Sequence, residues 1–352
     1  MPQIITVGIL FFFTFRCSEV KGMLFPKGLF SVTTGLENDP GKLSSNHCKT
    51  CHKEIFANWK KSMHSRSWKD PLFVEAFKIE PRTWCVNCHA PLLIQKKEFE
   101  SKKSNYPGEQ TTGNLLDEGI NCASCHVRDG KVLGGKNSFS PAHEVVRSDY
   151  LLSSDFCSDC HQFNFPRFKN KEIHYSKEPM QNTYTEWKRS GSERSCQNCH
   201  YDNHIVIGPH DKDWMRKLFF GFDYEITKGS LLSVSFNVED IRAHNMPTGD
   251  LFHSLAFEVS SDLGFRKLNF QKKWGRFYKL GEIGPQTFWN RSLKKNTGIR
   301  FDEEKIHITC DISPNVPIYA RLVYYYHDKE LGGETTLPSE ITELVIWKKK
   351  VR

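Results

Sequence analysis

The chain has 352 residues, a formal charge of +8, 26% charged and 38% hydrophobic side chains, and twelve cysteines. That length suits two domains of ordinary size. The Lys and Arg residues are scattered and no nucleic-acid-binding motif accompanies them, which argues against a nucleic-acid partner.

Residues Ile4 to Phe15 form an apolar run too short to span a bilayer and suited to the core of an export signal, with cleavage expected after Gly22. Cys17 is the alternative, as a lipidated cysteine, although Arg16 before it fits poorly. No later segment approaches the ~18 apolar residues of a membrane span. The expected organisation is therefore a signal peptide at 1–22, a cysteine-rich domain at 23–227 and a β-sandwich-like domain at 228–352. The chain is expected in the periplasm, with peripheral attachment to a membrane or the cell surface left open.

After an extended lead-in at 23–46, one short pattern occurs five times: Cys48-Lys-Thr-Cys51-His52, Cys85-Val-Asn-Cys88-His89, Cys122-Ala-Ser-Cys125-His126, Cys157-Ser-Asp-Cys160-His161 and Cys196-Gln-Asn-Cys199-His200. This is the signature of covalent c-type haem attachment, in which two thiols bond the porphyrin and the next imidazole reaches the iron. Zinc binding, a redox dithiol and a disulfide framework are the competing readings of Cys-x-x-Cys. Zinc joins two such pairs per metal, so five pairs leave one over, and none of the three needs a His after every second Cys.

Five motifs imply five covalently bound haem groups. The first cysteines are spaced by 37, 37, 35 and 39 residues. Segments that short cannot build separate apolar cores, so the porphyrins are expected to supply much of the buried surface. Five ferric haems with their propionates add roughly −5, which brings the loaded chain near +3.

Each iron has a second axial position. A His there gives a six-coordinate iron suited to electron transfer, whereas an open position gives a catalyst. The proximal ligands are His52, His89, His126, His161 and His200. The distal candidates are His64, His143, His204, His210 and His244, with His47, His174, His253, His307 and His327 ranked below them. Met63 and Met180 are read as core residues before ligands, and Cys310 as a buried thiol.

Between the motifs, Lys53 to His64 has helical periodicity, and its Trp59-Lys-Lys-Ser62 phrase returns as Trp187-Lys-Arg-Ser190. Each Trp is read as packing either on a porphyrin or in a helix core. Lys96–Gly113 and Arg128–Ser140 read as surface loops. A short helix is expected over Asp213–Phe219. Beyond Leu231 the texture alternates, and strands are expected at Leu231–Val238, Ser254–Ser260, Lys305–Ile312, Ile318–His327 and Glu343–Trp347. The fold class is thus a mainly α, haem-stapled domain with little regular structure, followed by an all-β antiparallel sandwich-like domain.

These residues resemble the cytochrome c-554-like multihaem cytochromes, which are related to hydroxylamine oxidoreductase and the pentahaem nitrite reductases. The resemblance rests on Cys48–His52 followed by Trp59-Lys-Lys-Ser62-Met63-His64, on Cys88-His89-Ala90-Pro91-Leu92, on Cys160-His161-Gln162-Phe163, and on Met180 to Trp187. The Pro247-Thr248-Gly249-Asp250 turn looks like the junction that opens an appended β-sandwich in some members. It implies that His64 ligates a haem other than that of its own motif. The nitrite reductases carry Cys-x-x-Cys-Lys at their active haem, and hydroxylamine oxidoreductase has eight haems and a Tyr cross-link. This chain departs from both.

The expected function is an exported pentahaem cytochrome that passes electrons between redox proteins, with a redox enzyme acting on a small nitrogen or sulfur compound at one open haem as the alternative. No catalytic residue is assigned. A non-catalytic binding or assembly role for the β domain is a third reading.

Overall fold

The computed structural model describes residues 31–101, 107–108, 114–170, 172–238, 243–280, 291–296 and 305–352. The expected export signal, Cys17 and part of the Lys96–Gly113 loop lie outside the described residues. None of the helices among the described residues is long and apolar enough to cross a membrane.

Each motif sits on a short helix: Ser45–Lys49 leads into Cys51 and His52, and Val86–His89, Cys122–His126, Ser154–His161 and Cys196–His200 carry the others. The spacing of three between the cysteines places both thiols on one helical face. Local polar side chains start the helices. The Ser124 N–H donates to Asn121 Oδ1 at 3.0 Å while Ser124 Oγ accepts from the Asn121 N–H at 3.2 Å, a reciprocal cap. In the fifth motif the Ser195 N–H donates to Asn198 Oδ1 at 2.8 Å.

The two Trp phrases end their helices alike. Helix Lys53–Lys61 stops where Ser62 Oγ donates to the Trp59 carbonyl at 2.7 Å, and helix Thr183–Ser190 where Ser190 Oγ donates to the Trp187 carbonyl at 2.7 Å.

Apolar packing in the motif region is fragmentary. Leu43, Leu92, Ala123 and Val127 form one buried cluster, Trp68, Val86, Ala90 and Leu116 a second, and Trp84 with Phe163 a third. Clusters of that size cannot hold a domain together alone. The C-terminal half differs. Leu232, Val234, Phe236, Ile306 and Ile308 from one sheet pack against Leu255, Phe257, Val259, Leu322 and Ile346 from another in a single large core. That core includes Cys310, 6% exposed, as expected of a buried thiol.

The first of these sheets has three strands in the order Lys305–Asp311, Leu231–Val238, Phe219–Thr227. The second has five: Arg291–Asn296, Phe270–Leu280, Ser254–Ser260, Tyr319–Tyr325, Glu343–Lys350. All pairings within both are antiparallel. The expected strands are present, and the hairpin between Phe219–Thr227 and Leu231–Val238 turns at the residue expected to end the haem domain.

The mainly α expectation is corrected. Among the described residues, 34% are helical and 33% are in strands. Arg128–Ser140, read as loop, contributes strands Lys131–Gly134 and Ser138–Phe139 to a four-stranded sheet that includes one parallel pairing. Gln162–Lys169 and Glu172–Asn182 form a hairpin whose register slips around Asn164, next to Pro166 and Pro179. Those breaks hide the alternation by which a strand is read from sequence.

Arg276, 4% exposed on strand Phe270–Leu280, ties the two halves together. Its guanidinium donates to the carbonyls of Pro179 at 3.4 Å and Met180 at 2.8 Å, and to that of Gly249. Arg276→Met should leave these carbonyls without that donor and cost about 3 kcal/mol. Urea denaturation of the loaded protein followed by circular dichroism checks this, with Arg276→Lys recovering part of the loss.

Candidate functional site

The motif histidines do not stand alone. His52 faces His143 with ring centroids 6.1 Å apart, His161 faces His64 at 6.5 Å, His126 faces His204 at 5.9 Å, and His200 faces His244 at 5.9 Å. One metal held between two imidazoles, with bonds of ~2.0 Å, sets ring centroids roughly 6 Å apart. Four of the five distal candidates therefore meet a motif His at the separation that a shared iron requires.

Nitrogen partners agree with that use. The Nδ1 atoms of His89, His126, His200 and His244 lie 2.9, 2.8, 2.9 and 2.9 Å from the carbonyls of Ser67, Leu133, Ile207 and Asn245. A carbonyl at Nδ1 fixes the tautomer that leaves Nε2 free to ligate. The Nδ1 atoms of His143 and His204 are instead buried with no hydrogen-bond partner, as expected of side chains whose remaining partner is a cofactor. Burial, with the His161 ring adding to it, pushes His64 down to about 4, and burial with His200 and His89 does the same for His161. Both are thereby held in the neutral form that a metal requires. These residues fit haem.

Local structure delivers each distal ring. His64 lies on the short 3₁₀ turn Met63–Arg66, just past the Ser62 stop. His204 sits with Asn203 in the turn between strands Tyr201–Asp202 and Ile205–Val206, at φ +71° and +41°. A left-handed non-glycine residue costs on the order of 1 kcal/mol, so the position is held by its surroundings. Part of that hold is Asn58, which donates to the Asn203 carbonyl at 3.1 Å. His244 is placed by Glu186, 5% exposed, which accepts from the Asn245 N–H at 3.3 Å, from Thr248 Oγ1 at 2.8 Å and from Asn182 Nδ2 at 3.2 Å.

Among the described contacts, none joins His89, the remaining motif His, to His210, the remaining distal candidate. His89 stacks flat on Phe73, with centroids 3.6 Å apart and planes 8° apart. His210 stacks on Tyr326 at 4.1 Å, and Tyr326 Oη donates to the Pro209 carbonyl at 2.7 Å. Burial, then His253 and Arg66, pushes His210 down to about 4. His253 is itself bonded to Tyr324 Oη, 3.0 Å from its Nδ1.

The cysteines meet across motifs. Cys48 is in thiol contact with Cys122, Cys88 with Cys160, and Cys157 with Cys196. Two of these junctions share a device absent from the sequence reading: Ser45 Oγ accepts from the Cys122 N–H at 3.2 Å, and Ser154 Oγ accepts from the Cys196 N–H at 3.0 Å. Each Ser stands three residues before the first Cys of its own motif, and the other three motifs have Arg82, Gly119 and Glu193 there. That spacing was the readable signal. Glu118 strengthens the first junction, accepting from Ser44 Oγ at 2.5 Å, the Ser45 N–H at 2.7 Å and Asn121 Nδ2 at 3.0 Å.

The fold and these motifs define a multihaem c-type cytochrome with covalently bound haem c. Residues 47–127 match the family described as cytochrome c554 and c-prime, and residues 91–210 match outer membrane cytochrome MtrC/MtrF-like, domains II/IV. Over these residues the chain is accordingly similar to the cytochrome c554-like multihaem cytochromes. In three dimensions it is similar to a penta-heme cytochrome c552 from Thermochromatium tepidum, with a TM-score of 0.62, 18% identity, and coverage of 88% of this chain and 98% of that one. At that identity the likeness concerns the fold. No curated protein matches the chain.

Glu186→Ala should release the His244 loop and cost about 3 kcal/mol through lost bonds to a buried carboxylate. Chemical denaturation measures the loss, and a changed ligand-field spectrum at one haem, absent in Arg276→Lys, separates positioning of His244 from general loosening.

Proposed function

We propose that the chain is an exported pentahaem c-type cytochrome that passes electrons between redox proteins along closely packed, mostly bis-His haems. The observation that carries this reading is the set of four imidazole pairs at 5.9–6.5 Å. His52 with His143, His161 with His64, His126 with His204 and His200 with His244 would hold four irons, and His89 the fifth. Each bound haem supplies a one-electron iron couple. Two imidazoles per iron favour little rearrangement on electron transfer and leave no room for substrate.

The chain's own contribution is spacing. The contacts Cys48–Cys122, Cys88–Cys160 and Cys157–Cys196 bring attachment points of different motifs together, so that the groups they carry lie close. His161 interacts electrostatically with both His200 and His89, and its motif meets two others through Cys157 and Cys160. The β region would cap the assembly through Arg276, Glu186 and Tyr326. The division into a haem domain and a β domain is part of this proposal, as is residence outside the cytoplasm; the expected boundary at 227/228 moves back to Phe219, because strand Phe219–Thr227 belongs to the three-stranded sheet.

A second reading has one specific support. His89 lies against Phe73 and no His ring faces it among the described contacts. An open sixth position there would make the chain a redox enzyme for a small nitrogen or sulfur compound.

Paramagnetic resonance of the fully oxidised protein tests both. The relay reading predicts at least four low-spin haems, and His64→Gly should convert one of them to high spin. A high-spin signal from one haem of the unaltered protein would support the open site at His89, and high spin at three or more would overturn the relay.

A further inference from the structure

Charge singles out the first motif. Of the ten motif cysteines, Cys51 alone is exposed, and the other nine are half-buried. His52, beside it, is exposed too, as is His161 of the fourth motif. The thiol contact made by this motif is the one from Cys48 to Cys122, whereas the fourth motif meets the second through Cys160 and the fifth through Cys157. By these contacts the fourth motif meets two others and the first meets one.

The charge around the first motif is distinctive. Residues 48–61 carry Lys49, Lys53, Lys60 and Lys61 against Glu54, a net of +3. Stretches of the same length from the other four motifs net +1, +1, +1 and −1. All four lysines are exposed. Three are held in place: Lys49 Nζ lies 4.9 Å from the Phe56 ring centre, Lys60 Nζ lies 5.4 Å from that of Trp59, and Lys61 Nζ donates to Asn58 Oδ1 at 3.4 Å. Fixing them in advance lowers the entropy lost when a partner binds. Of the acidic groups near this face, Glu118 is engaged by Ser44 Oγ, the Ser45 N–H and Asn121 Nδ2, and those left, Glu54, Glu144 next to His143 and Asp202 beside the Asn203 turn, are fewer than the four lysines.

We propose that Lys49, Lys53, Lys60 and Lys61, around the first motif, form the docking surface through which the string exchanges electrons with an acidic electron-transfer protein. The proposal rests on the relay reading above and adds the partner's chemistry and its place of contact. A basic rim around an exposed redox centre steers an acidic partner by long-range attraction, raising the encounter rate more than the affinity. Such steering is screened as salt rises.

The test uses the loaded protein and photoreduced flavodoxin, an acidic carrier, as probe. Replacing Lys49, Lys53, Lys60 and Lys61 together by Glu should lower the second-order rate of haem reduction by about tenfold or more at low salt, with the difference vanishing near ~0.5 M salt. A control carrying Lys188→Glu, Arg189→Glu and Arg194→Glu, beside the fifth motif, should change the rate by less than about twofold. An unchanged rate in the first variant, or an equal loss in both, overturns the proposal. So does an unchanged flavodoxin rate with lost binding to anionic phosphatidylglycerol vesicles, which would make the rim a lipid contact. A small neutral reductant separates the two levels of inference: it should reduce all variants equally, and failure to reduce the unaltered protein would sink the relay reading itself.

Discussion

Four pairs of imidazoles, each at the separation one shared metal would set, are the constraint around which the described motif region is arranged. His52 and His143, His161 and His64, His126 and His204, and His200 and His244 are each 44 or more residues apart in sequence, yet their rings come within 6.5 Å. Closing loops of that length costs conformational entropy that clusters such as Leu43–Leu92–Ala123–Val127 cannot offset. In the proposed reading, covalent attachment and axial ligation would supply the missing cohesion, and the haem-free chain should lack it. The helices are accordingly short and the caps polar.

Around this lies a second layer of fixed polar contacts. Ser45, Ser154 and Glu118 join one motif to another, and Glu186 and Asn58 seat the loops that carry His244 and His204. Arg276 then locks the hairpin ending at Asn182 and the Gly249 turn onto the five-stranded sheet. The large apolar core of the C-terminal half is a rigid wall for that attachment. Tyr326, part of that core, reaches Pro209 and His210 directly.

Much of this was legible in the residues themselves. The five Cys-x-x-Cys-His motifs name their cysteines and proximal imidazoles because the chemistry requires them adjacent in sequence. His64, His143, His204 and His244 stood out by context, and each proves to face a motif His. Which of them faces which could not be read, because it is decided by tertiary closure. His210 had equal standing in sequence but stacks on Tyr326, a residue more than a hundred positions away. Strands at Leu231–Val238 and Lys305–Asp311 were visible through clean alternation, burying every second residue. The hairpin from Gln162 to Asn182 was not, since its prolines and register slips erase the period. The helical estimate was too high because short motif helices alternate with small sheets that have no amphipathic signature.

The whole account depends on porphyrin joined to the chain through sulfur at every paired motif. The most direct measurement is the intact mass of the purified, fully denatured protein. The account predicts the processed polypeptide plus five haems, stable to boiling in detergent, whereas the mass of the bare polypeptide would contradict it.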